Sequence, residues 1–293
     1  MAGIKELRNR IKSIGNIKQI TRAMEMVAST KLRRFQDRAI ASRPYSQEIA
    51  GLVARLSSML GDDVADNPLF SAGKGEKTLV LLISSDRGLC GAYNTNLFRA
   101  LEIWVAARGE KKDFEFFVYG RKGAQYLTSR GYQVKRFITD PPMEDTDYRS
   151  AALTGRMLVD EFESGDYKDV HVGFTAFESM ARYKPQVLPF LPLTPESLGG
   201  GEDDGTAAAD AIMEPDAETI FSALVPKYLE TRIYNGLLEA LTSEYASRRF
   251  AMKNATDAAS DMQKELKGIY NRKRQEGITK ELLDIVGATE AVR

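Results

Sequence analysis

Residues 79–96, "LVLLISSDRGLCGAYNTN", decide how the middle of this chain is read. Leu79 to Ile83 form an unbroken apolar run, the pattern of a strand buried on both faces. A loop containing Gly88 and Gly91 follows, and a helical pattern then runs over 92–108. Strand, glycine loop and helix in that order are how phosphate-binding loops begin. Further along, "FEFFVYG" (114–120) reads as a strand and "RKGAQYLTSRG" (121–131) as a helix. "YQVKRF" (132–137) is a strand, 147–164 a helix, and "DVHVGFTAF" (169–177) and "PQVLPFLPL" (185–193) are further strands. Strands alternating with helices predict a mainly parallel sheet, covered on both faces, over residues 77–193.

The glycine loop lacks what a nucleotide needs. A dinucleotide fingerprint has three glycines and an acid at the end of the second strand. Here there are two glycines, and the second strand ends in Tyr119–Gly120. The Gly-Lys-Ser/Thr of a P-loop is missing, and Asp86 would repel phosphate. The loop reads as a tight turn that lets the next helix pack on the sheet. His171 alternates with Val170 and Val172 and reads as a packing residue. Cys90 has no base readable beside it. Glu202, Asp203 and Asp204 are adjacent, without the alternating spacing of a calcium loop. The sequence therefore predicts no catalytic, cofactor-binding or metal-binding residue. One cysteine permits no internal disulfide, and one histidine permits no His/Cys metal cluster. No apolar run is long enough to span a membrane, and "MAGIKELRNR" has no signal-peptide core.

Both flanks are helical. From Ile4 the apolar residues step by three and four: Leu7, Ile11, Ile14, then Ile17, Ile20 or Thr21, Met24, Val27 or Ala28, Leu32 and Phe35. The step from Ile14 to Ile17 predicts a slip of the seam near Gly15. Pro44 predicts a kink or interruption before Ile49, Leu52, Val53, Leu56 and Leu60 resume the stripe. At the other end two heptad columns run, Leu238, Tyr245, Met252, Ala259, Leu266 and Leu241, Arg248, Ala255, Met262, Ile269, with Arg248 as the odd member. The predicted organisation is an N-terminal helix over 1–60, the α/β domain over 77–193, an acidic linker over 194–217 and a C-terminal helix over 218–293. Rods of roughly 85 and 100 Å exceed a compact domain about 30–40 Å across, so they are expected to project from it and pair antiparallel. The fold class is thus α/β: a long antiparallel coiled coil of the terminal helices plus a central Rossmann-like α/β domain.

Charge is uneven although the total is zero. Residues 1–60 carry 12 Lys/Arg against 4 Asp/Glu, and 61–227 carry 18 against 27. Lys31, Arg33, Arg34, Arg38 and Arg43 crowd the stretch that ends at Tyr45, with few acids for intrahelical pairs. Near the other end Ile278, Leu282, Leu283, Ile285 and Val286 follow Arg272–Gln275, and an apolar helix end needs a partner to cover it.

Three stretches, "IKELRNRIKSIGNIKQITRAMEMVASTKLRR…DRAIASRPY", "SSDRGLCGAYNTN" and "YNRKRQEGITKELLDIV", together resemble the gamma subunit of F-type ATP synthase, in order and nearly end to end. The resemblance implies a rotor shaft: an antiparallel coiled coil inside a hexamer of three alpha and three beta subunits. A Rossmann-like domain would stand at its foot, beside the epsilon subunit and the c-ring. Proton flow would turn the ring and shaft and drive ATP synthesis, or hydrolysis in reverse, at the beta subunits, with no catalytic nucleotide on this chain. By resemblance, the segment around Met24 faces the beta lever region. Arg248, Arg274, Gln275, Thr279 and Glu281 match rotor–stator polar contacts. Lys31, Arg33, Arg34, Arg38, Arg43 and Tyr45 lie in the foot region near ring and epsilon, as does the Gly88–Asn96 loop. The resemblance brings no regulatory cysteine insert and no transit peptide, which fits a bacterial protein at the cytoplasmic face of the inner membrane, peripheral to it through the ring.

Two other classes stay open on the sequence. A nucleotide-binding α/β enzyme would bind ATP or NAD through the isolated chain. A coiled-coil arm that binds RNA would show salt-sensitive affinity carried by residues 1–45. The missing phosphate fingerprint weighs against the first. The apolar C-terminal end and scarce stacking aromatics weigh against the second, and no nucleic-acid partner is expected.

Overall fold

The computed structural model describes residues 2–61, 64, 67–180, 182–194, 214 and 216–291. The acidic run Glu202–Asp204 and most of the expected linker lie outside the described residues. The chain divides into two compact units, residues 31–247 and residues 1–30 with 248–293. Two helices contribute to both units: α1, Ala2–Leu60, and α5, Ala217–Ala291.

Residues 31–247 hold a five-stranded sheet. Its strands are β1 (Lys77–Ile83), β2 (Phe114–Tyr119), β3 (Gln133–Ile138), β4 (Tyr167–Ser179) and β5 (Arg182–Leu191). Their order is β3-β2-β1-β4-β5, parallel except for β4 with β5. The connecting helices are α2 (Tyr93–Ala106), α3 (Arg121–Ser129) and α4 (Tyr148–Glu163). β1 is central because it is apolar on both faces, and every residue after Lys77 is buried. Helix α2 buries Leu97, Leu101 and Val105, spaced by four, against Val80, Leu82, Phe116 and Val118. Each such Leu, Val or Phe side chain contributes roughly 1.5–3 kcal/mol of burial. Outer strand β5 carries Pro185 and Pro189, residues without an N–H to give a further strand.

The other face of the sheet is covered by α5, which is buried almost continuously over 228–247. Ile83 of β1 and Phe174 of β4 lie beneath Gly236. The 31–60 part of α1 buries Leu32, Phe35, Ile49, Val53 and Leu56. Phe35 stacks on Tyr245 at 5.5 Å, and Asn235 bonds Ser42 and Ser46. Phe35→Ala is expected to cost about 3–5 kcal/mol, read as a fall in the denaturation midpoint of the assembled protein.

Pro44 does not interrupt α1, which is helical from Ala2 to Leu60. The proline is exposed and removes one bond to the preceding turn, while Ile49 and Val53 hold the following turns by burial.

The second unit pairs residues 2–30 with 248–291. Ile4 lies against Gly277, Gly15 against Gln263, Lys18 bonds Ser260 at 2.9 Å, and Thr21 meets Thr256 at 2.8 Å. Partner numbers fall as numbers on α1 rise, which defines an antiparallel pair.

Candidate functional site

The start of the glycine loop is braced inside the chain. Asn94 accepts from Ser85 N–H at 3.2 Å and donates to Ser85 Oγ at 2.7 Å, closing the loop. The free N–H groups at the start of α3, where an anion would bind, are capped by protein. Arg121 N donates to Asp86 Oδ1 at 3.1 Å, Lys122 N to Ser85 O at 3.0 Å and Gly123 N to Ser84 Oγ at 2.8 Å. Asp86 thus caps α3, the helix that follows β2. Leu89 and Gly91 adopt left-handed backbone, φ 64° and 58°, to turn the chain. The turn presses Cys90 into α5: Ser247 Oγ donates to Cys90 O at 2.6 Å, and Tyr93 OH to Ala240 O at 3.2 Å. Its work is docking, and the buried Cys90 thiol belongs to that packing.

His171 is buried edge-on against Trp104 at 4.8 Å. Burial pushes its imidazole down to about 4, partly opposed by Asp169. Between pH 4 and 6.5 the unfolded chain takes up a proton that the folded chain refuses. Stability from this group is complete above about 6.5 and falls as pH drops toward 4. The loss is roughly 3–4 kcal/mol, at about 1.4 kcal/mol for each pH unit between 4 and 6.5. Relative to wild type, His171→Phe is expected to flatten the stability profile across that window in denaturant titrations.

In the helix pair, the inward seam of α1 runs Ile4, Leu7, Ile11, Ile14, Lys18, Thr21 and Glu25, all half-buried, and the buried Ala28, an unbroken heptad alternation. The expected slip near Gly15 is absent. Ile17, Ile20 and Val27 are exposed, at 52%, 59% and 57%. On α5 the first expected column holds, with Met252 and Ala259 buried and Leu266 half-buried. The second shifts by one place, to Thr256, Gln263, Tyr270 and Gly277, leaving Met262 and Ile269 exposed. A periodicity read from apolar residues followed the outer stripe here. Polar residues fill the seam because they bond each other, Lys18 to Ser260 and Thr21 to Thr256. The pair is amphipathic in reverse over this stretch.

The residues singled out by resemblance fall into distinct settings. Met24 is half-buried, and Arg248 is buried. Arg274, Gln275, Thr279 and Glu281 are exposed, with Gln275 and Thr279 sharing a surface groove with Arg272 and Leu283. Ile278, Leu282, Leu283 and Ile285 are exposed on the same helix end. In the basic stretch, Arg33, Arg34, Arg43 and Tyr45 are exposed, whereas Lys31 and Arg38 turn inward. Lys31 donates to Glu144 and to Tyr245 OH. Arg38 donates to Thr146 O at 2.7 Å and to Tyr234 OH at 3.3 Å. Sequence spacing could not show this, because the acceptors lie more than a hundred positions away.

A Rossmann-like sheet flanked in sequence by two long helices, whose outer parts pair antiparallel, defines a class of helix-pair protein. The ATP synthase family model matches residues 3–292. The ATP synthase gamma chain of Ruthia magnifica is 38% identical, with all of both chains covered, and that of Geotalea uraniireducens 36%, also over all of both. The fold is shared with a chain of the Euglena gracilis mitochondrial ATP synthase (TM-score 0.65, 19% identity, 99% of this chain and 95% of that one). It is also shared with a central stalk/c-ring chain from Tetrahymena thermophila (TM-score 0.59, 22% identity, 80% and 99%). The chain belongs to the ATP synthase gamma chain family.

Proposed function

We propose that this chain is the central rotor shaft of an ATP synthase, coupling rotation of a proton-driven c-ring to ATP synthesis or hydrolysis at beta subunits. One observation carries the reading: an apolar stripe on the outer face of the helix pair. Ile17, Ile20, Val27, Met262 and Ile269 face outward while Lys18, Thr21, Thr256 and Gln263 face the seam. Exposed apolar surface of this kind is unfavourable in water and fits a protein sleeve around the coil. A collar of three alpha and three beta subunits supplies that sleeve. Smooth apolar contact lets the shaft turn, while polar residues such as Arg274, Gln275, Thr279 and Glu281 can exchange hydrogen-bond partners at successive angles.

In this reading residues 1–60 and 218–293 are the shaft helices, 194–217 a linker, and 77–193 the foot that meets the epsilon subunit and the c-ring. Arg33, Arg34, Arg43 and Tyr45 remain available there, with Lys31 and Arg38 positioned by their internal bonds. Met24 faces the beta lever region, and Arg248 belongs with the rotor–stator polar contacts. The chain itself is non-catalytic in this reading, since its glycine loop lacks the residues of a phosphate fingerprint. No helix among the described residues is long and apolar enough to cross a membrane, which suits a peripheral place at the cytoplasmic face, held through the ring.

The test is reconstitution with alpha and beta subunits. The expected result is one copy per hexamer and ATP turnover that depends on this chain. Nucleotide binding by the chain alone, with no assembly, would support the enzyme reading instead. Salt-sensitive RNA binding by residues 1–45 would support the arm reading.

A further inference from the structure

The sheet is joined covalently to the helices only through residues 61–76 and 192–216, so a sideways load on it reaches them largely through non-covalent ties. Those ties are unequal. Helix α5 is embedded: Glu230 pairs with Arg156 of α4 at 2.9 Å, Arg232 donates to Pro189 O at 2.6 Å, and Tyr93 and Cys90 bond its 240–247 turns. Helix α1 bonds the domain at Met180 through Gln36, and at one loop, Met143–Asp147, which leads from β3 into α4. Glu144 there accepts from Lys31 of α1 and from Tyr245 of α5. Lys31 also lies over the Tyr245 ring at 5.4 Å. Two residues on, Thr146 O accepts from Arg38, and Asp147 caps α4 through Ser150 N at 2.8 Å. Burial alone would raise the Glu144 carboxyl, but the bonds from Lys31 and Tyr245 outweigh it and hold it below the usual range.

We propose that Glu144 is a torque latch, a positioning residue that pins α1 and α5 together onto the sheet domain, so that load applied to the foot reaches both helices in phase. The inference rests on the rotor reading. A charged, hydrogen-bonded node joining three elements fixes their mutual angle more sharply than apolar contact alone, because its bonds are directional. Lys31, placed by resemblance in the foot region near ring and epsilon, is an internal part of the latch.

The experiment compares wild type, Glu144→Ala and Tyr245→Phe in the complete membrane-bound complex. Three quantities are read: proton-driven ATP synthesis, hydrolysis by the detached complex without load, and deuterium exchange of segment 143–150. The expected result is synthesis lowered roughly three- to tenfold in Glu144→Ala, with load-free hydrolysis within about twofold. Exchange in 143–150 should rise, and Tyr245→Phe should fall between, since it keeps the ring and the Lys31–Glu144 bond. Synthesis and hydrolysis falling together, with fewer copies of the chain per complex, would make Glu144 a folding residue and overturn the latch. Unchanged synthesis with raised exchange would overturn it as well. Wild-type synthesis that does not depend on this chain would sink the rotor reading, a result distinguishable from either.

Discussion

Replacing Ile17, Ile20 and Val27 together by serine is expected to leave the fold intact and to cripple the assembly. All three are more than half exposed, and the seam beside them is closed by Lys18–Ser260 and Thr21–Thr256. Surface substitutions away from caps and ion pairs change stability by about 0.5 kcal/mol or less each. Serine and the β-branched residues also have similar helix propensities. Exchange protection of residues 2–30 in the chain should therefore hardly move. In the hexamer the same side chains would be covered, at roughly 1–3 kcal/mol apiece. Three of them together are enough for a loss of assembly or turnover of at least tenfold, since about 1.4 kcal/mol is one factor of ten. The contrast is the diagnostic. Lost protection with normal assembly would mean the apolar stripe is the true seam and the polar one is not.

The second large effect is expected at Gly120. Its backbone sits at φ 90°, and a Cβ there would lie 2.2 Å from Ser84 O and 2.6 Å from Ser84 Oγ. Neither atom can retreat: Ser84 N donates to Tyr119 O, and Ser84 Oγ holds Tyr119 O, Gly120 O and Gly123 N. Gly120→Ala must strain the backbone and break the cap of α3, so a loss of about 4 kcal/mol or more is expected. Thermal melting of the variant should show the sheet domain unfolding early or not folding. A near-normal melting temperature would mean that the β2–α3 turn is more pliable than these contacts allow. The position shows why the sequence carries glycine where a ribose-binding acid would stand in a dinucleotide fold. The strand end approaches its neighbour too closely for any side chain.

Legibility in the sequence followed the physics of each element. β1 could be read because five apolar residues without alternation demand cover on both faces of a strand, and the strands and helices alternating around it supply that cover in a parallel sheet. The absence of a phosphate fingerprint was readable, but what replaces it was not. Asp86 capping α3 and Cys90 docking on α5 depend on partners far away in sequence. The seam of the helix pair misled for a related reason. Periodicity counts apolar residues, and in a coil with an outer apolar stripe that count follows the wrong face. Lys18, Thr21 and Gln263 enter the seam because bonding partners stand opposite, which only the register shows. Pro44 signalled a break that burial on either side of it overrides. Among the expected contact residues, Lys31 and Arg38 were indistinguishable in sequence from Arg33 and Arg34. Their inward turn is set by Glu144 and Thr146.

The most direct measurement is rotation itself. A probe would be attached at Lys112→Cys, on an exposed turn of the sheet domain, in a complex whose alpha and beta subunits are fixed to a surface. Cys90 is buried and leaves the introduced thiol as the accessible one. A rotor shaft should turn stepwise in one direction while ATP is hydrolysed, and stop when ATP is removed. Full hydrolysis with the probe stationary or merely tumbling would contradict that role.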